Sequence, residues 1–278
     1  MVDALDLKNE PLENLRYERQ GHVAVLTLDR PERGNSVTAR MHAGLRAVWE
    51  DIGSDPEIRV AVVTGAGERH FCTGADVEAL ADKGTVAAGS GPLAEELFYT
   101  ARHNRVWKPV VCAVNGLAAA AGLHFVVDAD IVVASTAAAF TDTHVNVGMI
   151  GAIENIGLLL RLPLGAALRM TLQGRDFRLP AERAYALGLV DELAEPGGLM
   201  ETAMDIATSI AANSPTAVSL SQQAIWGSLE LPYAEALERA WDMVKAHRGH
   251  PDAVEGPRAF VEKRSPRWAP PEDGRSGR

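Results

Sequence analysis

Two histidines, twenty positions apart, carry most of the chemistry that can be read from this chain. His124 follows a run of small residues, Asn115-Gly116-Leu117-Ala118-Ala119-Ala120-Ala121-Gly122-Leu123, and His144 follows Phe140-Thr141-Asp142-Thr143. An imidazole titrates near neutrality, so two of them beside one substrate can divide the taking and giving of a proton. His124 is expected in the first turn of a helix, whose positive end disfavours imidazolium, which suits it to the role of base. His144 comes two residues after Asp142 and can be held charged by a carboxylate; Asp142 or Glu154 is the acid that would orient an imidazole. Glu154 also reads as a plain helix-start carboxylate favoured by the dipole. A metal site built from His124, His144 and Asp142 is not favoured, because neither an i,i+4 histidine pair nor a dense cluster of potential ligands stands in the sequence.

These groups need a frame. Residues 15–19 and 22–28 flank Gln20-Gly21 and predict a β-hairpin, and Thr38 predicts the cap of a helix through Asp51 with Met41, Leu45, Val48, Trp49 and Ile52 on one face. Val60–Val63, Val110–Val114 and Ile131–Ala134 are continuous apolar runs that read as fully buried strands. Strands of this kind alternating with helices predict an α/β fold with largely parallel, covered sheets and ligands at the loops that follow the strands. From about Gly198 the pattern becomes helical, over 199–212, 215–229, 232–248 and 251–263, with no strand signal beyond Leu189-Val190. Trp226, Trp241, Met243 and Val244 give this region more apolar face than it needs for itself, so self-association or docking on its own core is expected. Segment 82–105 reads as a mobile lid.

The 278 residues are 47% hydrophobic and 23% charged, enough for one large domain or two modest ones. A net charge of -10 argues against nucleic acid as a partner, since phosphate backbones require a concentrated basic face. The two cysteines, Cys72 and Cys112, lie in apolar stretches and read as buried reduced thiols. Residues 1–13 form no signal peptide and no apolar run approaches membrane-spanning length, so a cytoplasmic protein is expected.

Taken together, Arg30-Pro31-Glu32-Arg33-Gly34-Asn35-Ser36, Phe71-Cys72-Thr73-Gly74-Ala75-Asp76-Val77, the Asn115-Gly116 run, Leu187-Gly188-Leu189-Val190 and the ending Glu255–Arg264 resemble the crotonase superfamily of enoyl-CoA hydratases and isomerases, in order and spacing over 14–264. The resemblance implies a crotonase-like spiral of ββα units over 14–197 and a helical C-terminal trimerisation region over 198–268, with 1–13 and 269–278 disordered. It implies a homotrimer or dimer of trimers. It also implies a thioester whose carbonyl oxygen lies between the amides of Ala75 and Ala121, because an enolate needs fixed dipoles aimed at it. Small side chains at 118–122 allow that close approach. Coenzyme A enters as part of the substrate, with no separate cofactor, and would be gripped by Ala75, Asp76 and Val77, by Arg33, and by Phe260 and Lys263 from the C-terminal helix. Lys263 and Arg264 would come from a neighbouring subunit. Glu78 departs from the family, standing where many relatives carry lysine. His124 and His144 fall where the hydratases of the family carry their two glutamates. Two other activities stay open: retro-Claisen hydrolysis of a β-diketone, which a similar branch performs with histidines and an acid, and silent acyl-CoA binding by a homo-oligomer.

Overall fold

A computed structural model describes Leu7, 10–76 and 91–270. The chain opens with the expected hairpin: β1 (Leu15–Gln20) runs antiparallel to β2 (Val23–Leu28), with Leu15 opposite Leu28 and Gly21 at φ 61° in the turn. Next, β3 (Val60–Gly65), β5 (Val110–Val114), β7 (Ile131–Ser135) and β10 (Glu192–Ala194) add in parallel, giving a large sheet of order β1-β2-β3-β5-β7-β10.

Each of β3, β5 and β7 is followed within a few residues by a short strand of a second sheet. These are β4 (His70–Cys72), β6 (Leu117–Ala119) and β8 (Ala139–Thr141), mutually parallel, with β9 (Leu179–Pro180) antiparallel at the edge. The Asn115-Gly116 corner shows how the chain steps between sheets. Asn115 Oδ1 accepts from the Gly65 amide at 3.2 Å and its Nδ2 donates to Gly67 O at 2.7 Å, so one side chain satisfies backbone groups where the ladder breaks. Gly116 lies against the backbone of Arg69 and His70 with no room for a Cβ. The result is a mixed α/β fold built from paired strands and helices.

The large sheet is covered on both faces, which explains why its strands show no polar alternation. One face, with Ala24, Leu26, Ala61 and Val63, packs on α1 (Ala39–Ser54) through Met41, Leu45, Trp49 and Ile52. Thr38 caps α1 by accepting from Met41 N at 3.1 Å. The other face, with Val23, Val25, Val60 and Val62, packs on Ala203, Ala207 and Ala211. Each of those valines contributes on the order of 1.5–3 kcal/mol by leaving water.

The remaining α-helices among the described residues are α2 (Leu93–Glu96), α3 (Leu123–Val127), α4 (Ile153–Leu158), α5 (Leu164–Gln173), α6 (Ala181–Leu187), α7 (Leu199–Ala211), α8 (Pro215–Gly227), α9 (Tyr233–His247) and α10 (Asp252–Glu262). Ser214 caps α8 as expected, accepting from Ala217 N at 3.2 Å. The strand expected at Leu189-Val190 begins instead at Glu192. Gly188, at φ 90°, closes α6 and returns the Leu189 amide to Ala184 O, so those two residues finish a helix. Trp226 docks on the core, its Nε1 donating to Asp130 Oδ1 at 2.7 Å, whereas Trp241 and Val244 are exposed. Both cysteines are buried, and burial pushes the Cys72 thiol up to about 12. Most of 1–13 and 269–278 lies outside the described residues; of the rest, Glu10 pairs with Arg40 and the Ala269 amide donates to Asp252. No helix among the described residues is long and apolar enough to cross a membrane.

Candidate active site

The three parallel strands of the small sheet end side by side, and the segments leaving them line one cavity of about 570 Å³. Thr73–Asp76 come after β4, Ala120, Ala121 and His124 after β6, and Thr143 and His144 after β8. Leu97, Tyr99, Val147, Met149, Ile150 and Ile153 give the cavity an apolar wall, and Glu32, Arg33 and Ser36 border it from the loop after β2.

Two turns, at Gly74-Ala75 and at Ala120-Ala121, meet there. Val37 N donates to Gly74 O at 2.8 Å and Asp76 N to Val37 O at 3.1 Å, a parallel bridge that passes over the Ala75 N–H. Gly74 has φ 98°, and a Cβ on it would lie 3.0 Å from Ala120 Cβ and 3.2 Å from Ala121 N. Only glycine lets the two turns abut so closely. Ala120 takes φ 49°, uncommon for a non-glycine residue, and opens the single 3-10 turn Ala120–Gly122, in which the Ala121 amide precedes the first intrahelical acceptor. Gly122 is backed against the Cys72 carbonyl, which fixes the turn to β4. Ala75 and Ala121 are thereby held on adjoining turns in the wall of one cavity.

His124 is the second residue of α3. Its Nε2 lies 3.5 Å from Glu154 Oε2, its ring stacks on Tyr99 with centroids 5.4 Å apart, and His103 meets it edge-on at 5.1 Å. Burial first, then the fields of His103, His144 and His42, lower its pKa to about 3, so it is neutral at physiological pH. The neutral state expected from a helix dipole is thus present for another reason: α3 is five residues long, and desolvation dominates.

His144 opens the turn His144–Val147. Its Nδ1 lies 2.6 Å from Asp142 Oδ1, and its backbone amide donates to the same oxygen at 3.1 Å. Asp142 is fully buried, and its Oδ2 accepts from Asn155 Nδ2 at 2.6 Å. Burial opposes charge on His144, but the Asp142 hydrogen bond and the Glu154 and Asp142 charges outweigh it, and its pKa is raised. Burial likewise pushes Asp142 up, yet the hydrogen bonds from His144 and Asn155 hold its carboxyl below the usual range.

Glu154, in the first turn of α4, stands between the two imidazoles. Its Oε1 is 3.1 Å from His144 Nδ1 but is buried without a hydrogen bond, because the Nδ1 hydrogen is directed to Asp142. Burial raises its pKa and favours the protonated form. The fold thus assembles the dense clusters that the sequence does not show. Donor atoms of Asp142, His144 and Glu154 lie within 4.8 Å of one another, as do those of His103, His124 and Asp128. The members come from different strands and helices, so no local spacing reveals them. Within the first of these clusters, His144 Nδ1 is already engaged by Asp142 Oδ1.

His124, His144, Glu154, Ala75, Ala121, Arg33 and Asp76 all line the cavity. The Asp76 carboxylate pairs with Arg30 at 2.7 Å. Val77 and Glu78 lie outside the described residues. Phe260 and Lys263 are exposed on or just after α10 and are not among the residues lining the cavity within one chain. Part of the expected lid is not loose: Trp49 Nε1 donates to Tyr99 O at 2.9 Å, Phe98 N to His42 Nε2 at 2.9 Å, and Asn104 Nδ2 to Thr100 O at 2.8 Å. Residues 82–90 of that segment fall outside the described residues. Sequence reading missed His103 and Asp128; the one available signal was Asp128 four residues after His124 on a helix.

The enoyl-CoA hydratase/isomerase family profile matches residues 18–271. The (E)-benzylidenesuccinyl-CoA hydratase of Thauera aromatica is 34% identical over 258 residues, 90% of this chain and 96% of that protein. A short-chain-enoyl-CoA hydratase of Clostridium acetobutylicum is 32% identical over 91% of this chain and 96% of its own length. Among solved structures, an enoyl-CoA hydratase/isomerase from Mycobacterium paratuberculosis superposes with a TM-score of 0.84 at 39% identity, covering 93% of this chain and 99% of that one.

Proposed function

The chain belongs to the enoyl-CoA hydratase/isomerase family, enzymes of the lyase and isomerase classes, and we propose that it adds water across, or removes it from, the double bond of an acyl-CoA thioester with histidines as acid and base. In this reading His124 and His144 stand where hydratases of the family carry glutamates. The observation that carries it is that both imidazoles face one cavity with opposite charge preferences, the pKa of one lowered to about 3 by burial and that of the other raised by Asp142 and Glu154.

In hydration, neutral His124 takes a proton from water as its oxygen attacks the β-carbon. Charge moves onto the thioester oxygen, where the Ala75 and Ala121 N–H groups hold the enolate. Imidazolium His144, fixed through Nδ1 by Asp142, gives its other proton to the α-carbon. Glu154, 3.5 Å from His124 and favoured in its protonated form by burial, keeps a carboxyl group beside the base. The apolar wall of Leu97, Tyr99, Met149, Ile150 and Ile153 suits a hydrocarbon acyl group, while Arg33 at the border suits the coenzyme's phosphates. Exposed Trp241, Val244, Phe260 and Val261 support assembly as a homotrimer or dimer of trimers, in which α10 of a neighbour brings Phe260 and Lys263 to the nucleotide. The comparisons do not favour a carbon–carbon hydrolase or a silent binder.

The test is turnover of short-chain and aryl-substituted enoyl-CoA substrates, followed by loss of the conjugated thioester absorbance. His124→Ala and His144→Ala should each lower kcat by about a hundredfold or more. Native rates in both variants would remove the two histidines from the mechanism, and tight acyl-CoA binding with no turnover of any substrate would make the chain a binder.

A further inference from the structure

Behind His124, on the side away from the acyl cavity, lies a second polar group that the proposed proton transfers do not use. His124 and Asp128 are four residues apart, at the two ends of α3, and the Asp128 amide donates to the His124 carbonyl at 3.1 Å. The spacing puts both side chains on one helix face. His103 bridges them: its Nε2 is 3.4 Å from Asp128 Oδ2, and its ring meets the His124 ring at a centroid distance of 5.1 Å and an interplanar angle of 73°. Asp128 Oδ2 also accepts from Thr100 Oγ1 at 2.8 Å, and Thr100 Oγ1 accepts from the His103 amide at 3.3 Å. A loop and a helix end are thereby knotted around one carboxylate. The loop is itself anchored, by Trp49 to the Tyr99 carbonyl and by Asn104 to Phe98 O and Thr100 O.

His124 is therefore gripped from two sides by the same segment. Tyr99 lies flat on one face at 15°, and His103 presses edge-on. Among the described residues, no side-chain hydrogen bond other than the approach to Glu154 fixes the plane of this buried ring. His103 Nδ1 is buried with no hydrogen-bond partner, a cost that a purely structural residue would not need to carry. We propose that His103, held by Asp128, is a positioning residue for His124, setting the plane of its imidazole from behind the cavity wall so that Nε2 faces Glu154 and the substrate.

This inference rests on the reading of His124 as the base. The groups that face His124 are His42 from α1, Tyr99 and His103 from the loop before β5, Asp128 at the end of α3, His144 with Asp142 after β8, and Glu154 from α4; Arg102, beside His103, stacks on Trp226. Of these, His103 is the nearest ring outside the cavity that opposes a charge on His124, so its removal should make His124 easier to protonate.

The experiment combines kinetics with an NMR titration of the His124 ring, assigned by its disappearance in His124→Ala. In His103→Ala, kcat should fall at least tenfold with KM within twofold of native, since His103 does not line the cavity. The acid limb of the pH profile and the NMR midpoint of His124 should both move to higher pH. His103→Phe keeps the edge contact and should recover part of the lost kcat; it also serves if the alanine variant does not fold. Equal losses in kcat and KM, an unmoved midpoint, or native kcat would each overturn the proposal. The titration needs no turnover, so native rates in His124→Ala would sink the base assignment while a raised midpoint in His103→Phe still measures the coupling of the two rings.

Discussion

The two walls of the cavity hold the same side chain in opposite electrical settings. On the β6 side, His124 is enclosed by the rings of Tyr99 and His103, with His42 close by, and both burial and the fields of the neighbouring histidines oppose its charge. On the β8 side, His144 is placed against a buried carboxylate that is itself anchored by Asn155, and Asn155 in turn by Thr171 at 2.9 Å. The difference teaches that identical residues can be driven to opposite charge preferences when the shells around them differ; in the proposed mechanism the second residues out decide which is base and which is acid.

Three perturbations test this contrast. Asp142→Asn should have the largest effect, because it strips a fully buried anion from beneath His144 and leaves Asn155 facing an amide. A loss of about 3 kcal/mol in urea unfolding is expected, the usual scale for breaking a buried pair from one side. The sign is set by both partners. The raised pKa of His144 gives stability that is complete below about pH 6.5 and fades as pH rises through its folded value. The lowered pKa of Asp142 gives stability present above about pH 4 and lost at lower pH. The deficit of the variant should therefore be greatest between those limits and smaller at pH 9; a deficit independent of pH would mean that the pair is not ionic.

His124→Gln is expected to act in the opposite sense. A histidine lowered from 6.5 to about 3 in the folded state costs stability as pH falls across that interval, because the unfolded chain takes up a proton that the native one refuses. The native protein should lose up to about 1.4 kcal/mol per pH unit from this residue, and the variant should be that much less sensitive to acid. Identical acid-unfolding curves would show that His124 is charged in the fold, and the contrast would collapse.

The smallest effect is expected at Glu154, between the two. Its raised pKa costs the native protein stability as pH rises from about 4.5 through the folded value. Glu154→Gln imitates the protonated acid, so its melting temperature should match native near pH 4 and exceed it slightly at pH 8. A melting temperature that falls at pH 8 would mean that the ionised carboxylate is needed to hold the histidines.

Much of the large sheet was legible because its signals are local. The hairpin at Gln20-Gly21, the Thr38 cap, the apolar runs of β3, β5 and β7 and the C-terminal helices each announce themselves within a dozen residues. The small sheet did not. With only two or three residues apiece, β4, β6, β8 and β9 have no periodicity to detect, and read singly their sequences look like loops. They nevertheless place the candidate site, since its segments leave the ends of β4, β6 and β8. The strand expected at Leu189-Val190 failed on a similar point, where a helix-closing glycine displaced it by a few residues.

The sequence by itself determined which groups are available: two histidines, Glu154, and glycine or alanine wherever backbone must touch backbone. Residue type alone limits what each can do, and the motif order is local enough to identify the family. Only the tertiary structure decided how those groups are charged and which others join them. Charge in a buried site depends on what lies within a few ångströms, and here that shell is drawn from the loop before β5, from α1, α3, α4 and the turn after β8, segments far apart in the chain. Along the chain His103 carries no mark of function and Asp128 only its four-residue spacing from His124; it is the packing of a loop against a helix end that sets His103 beside both.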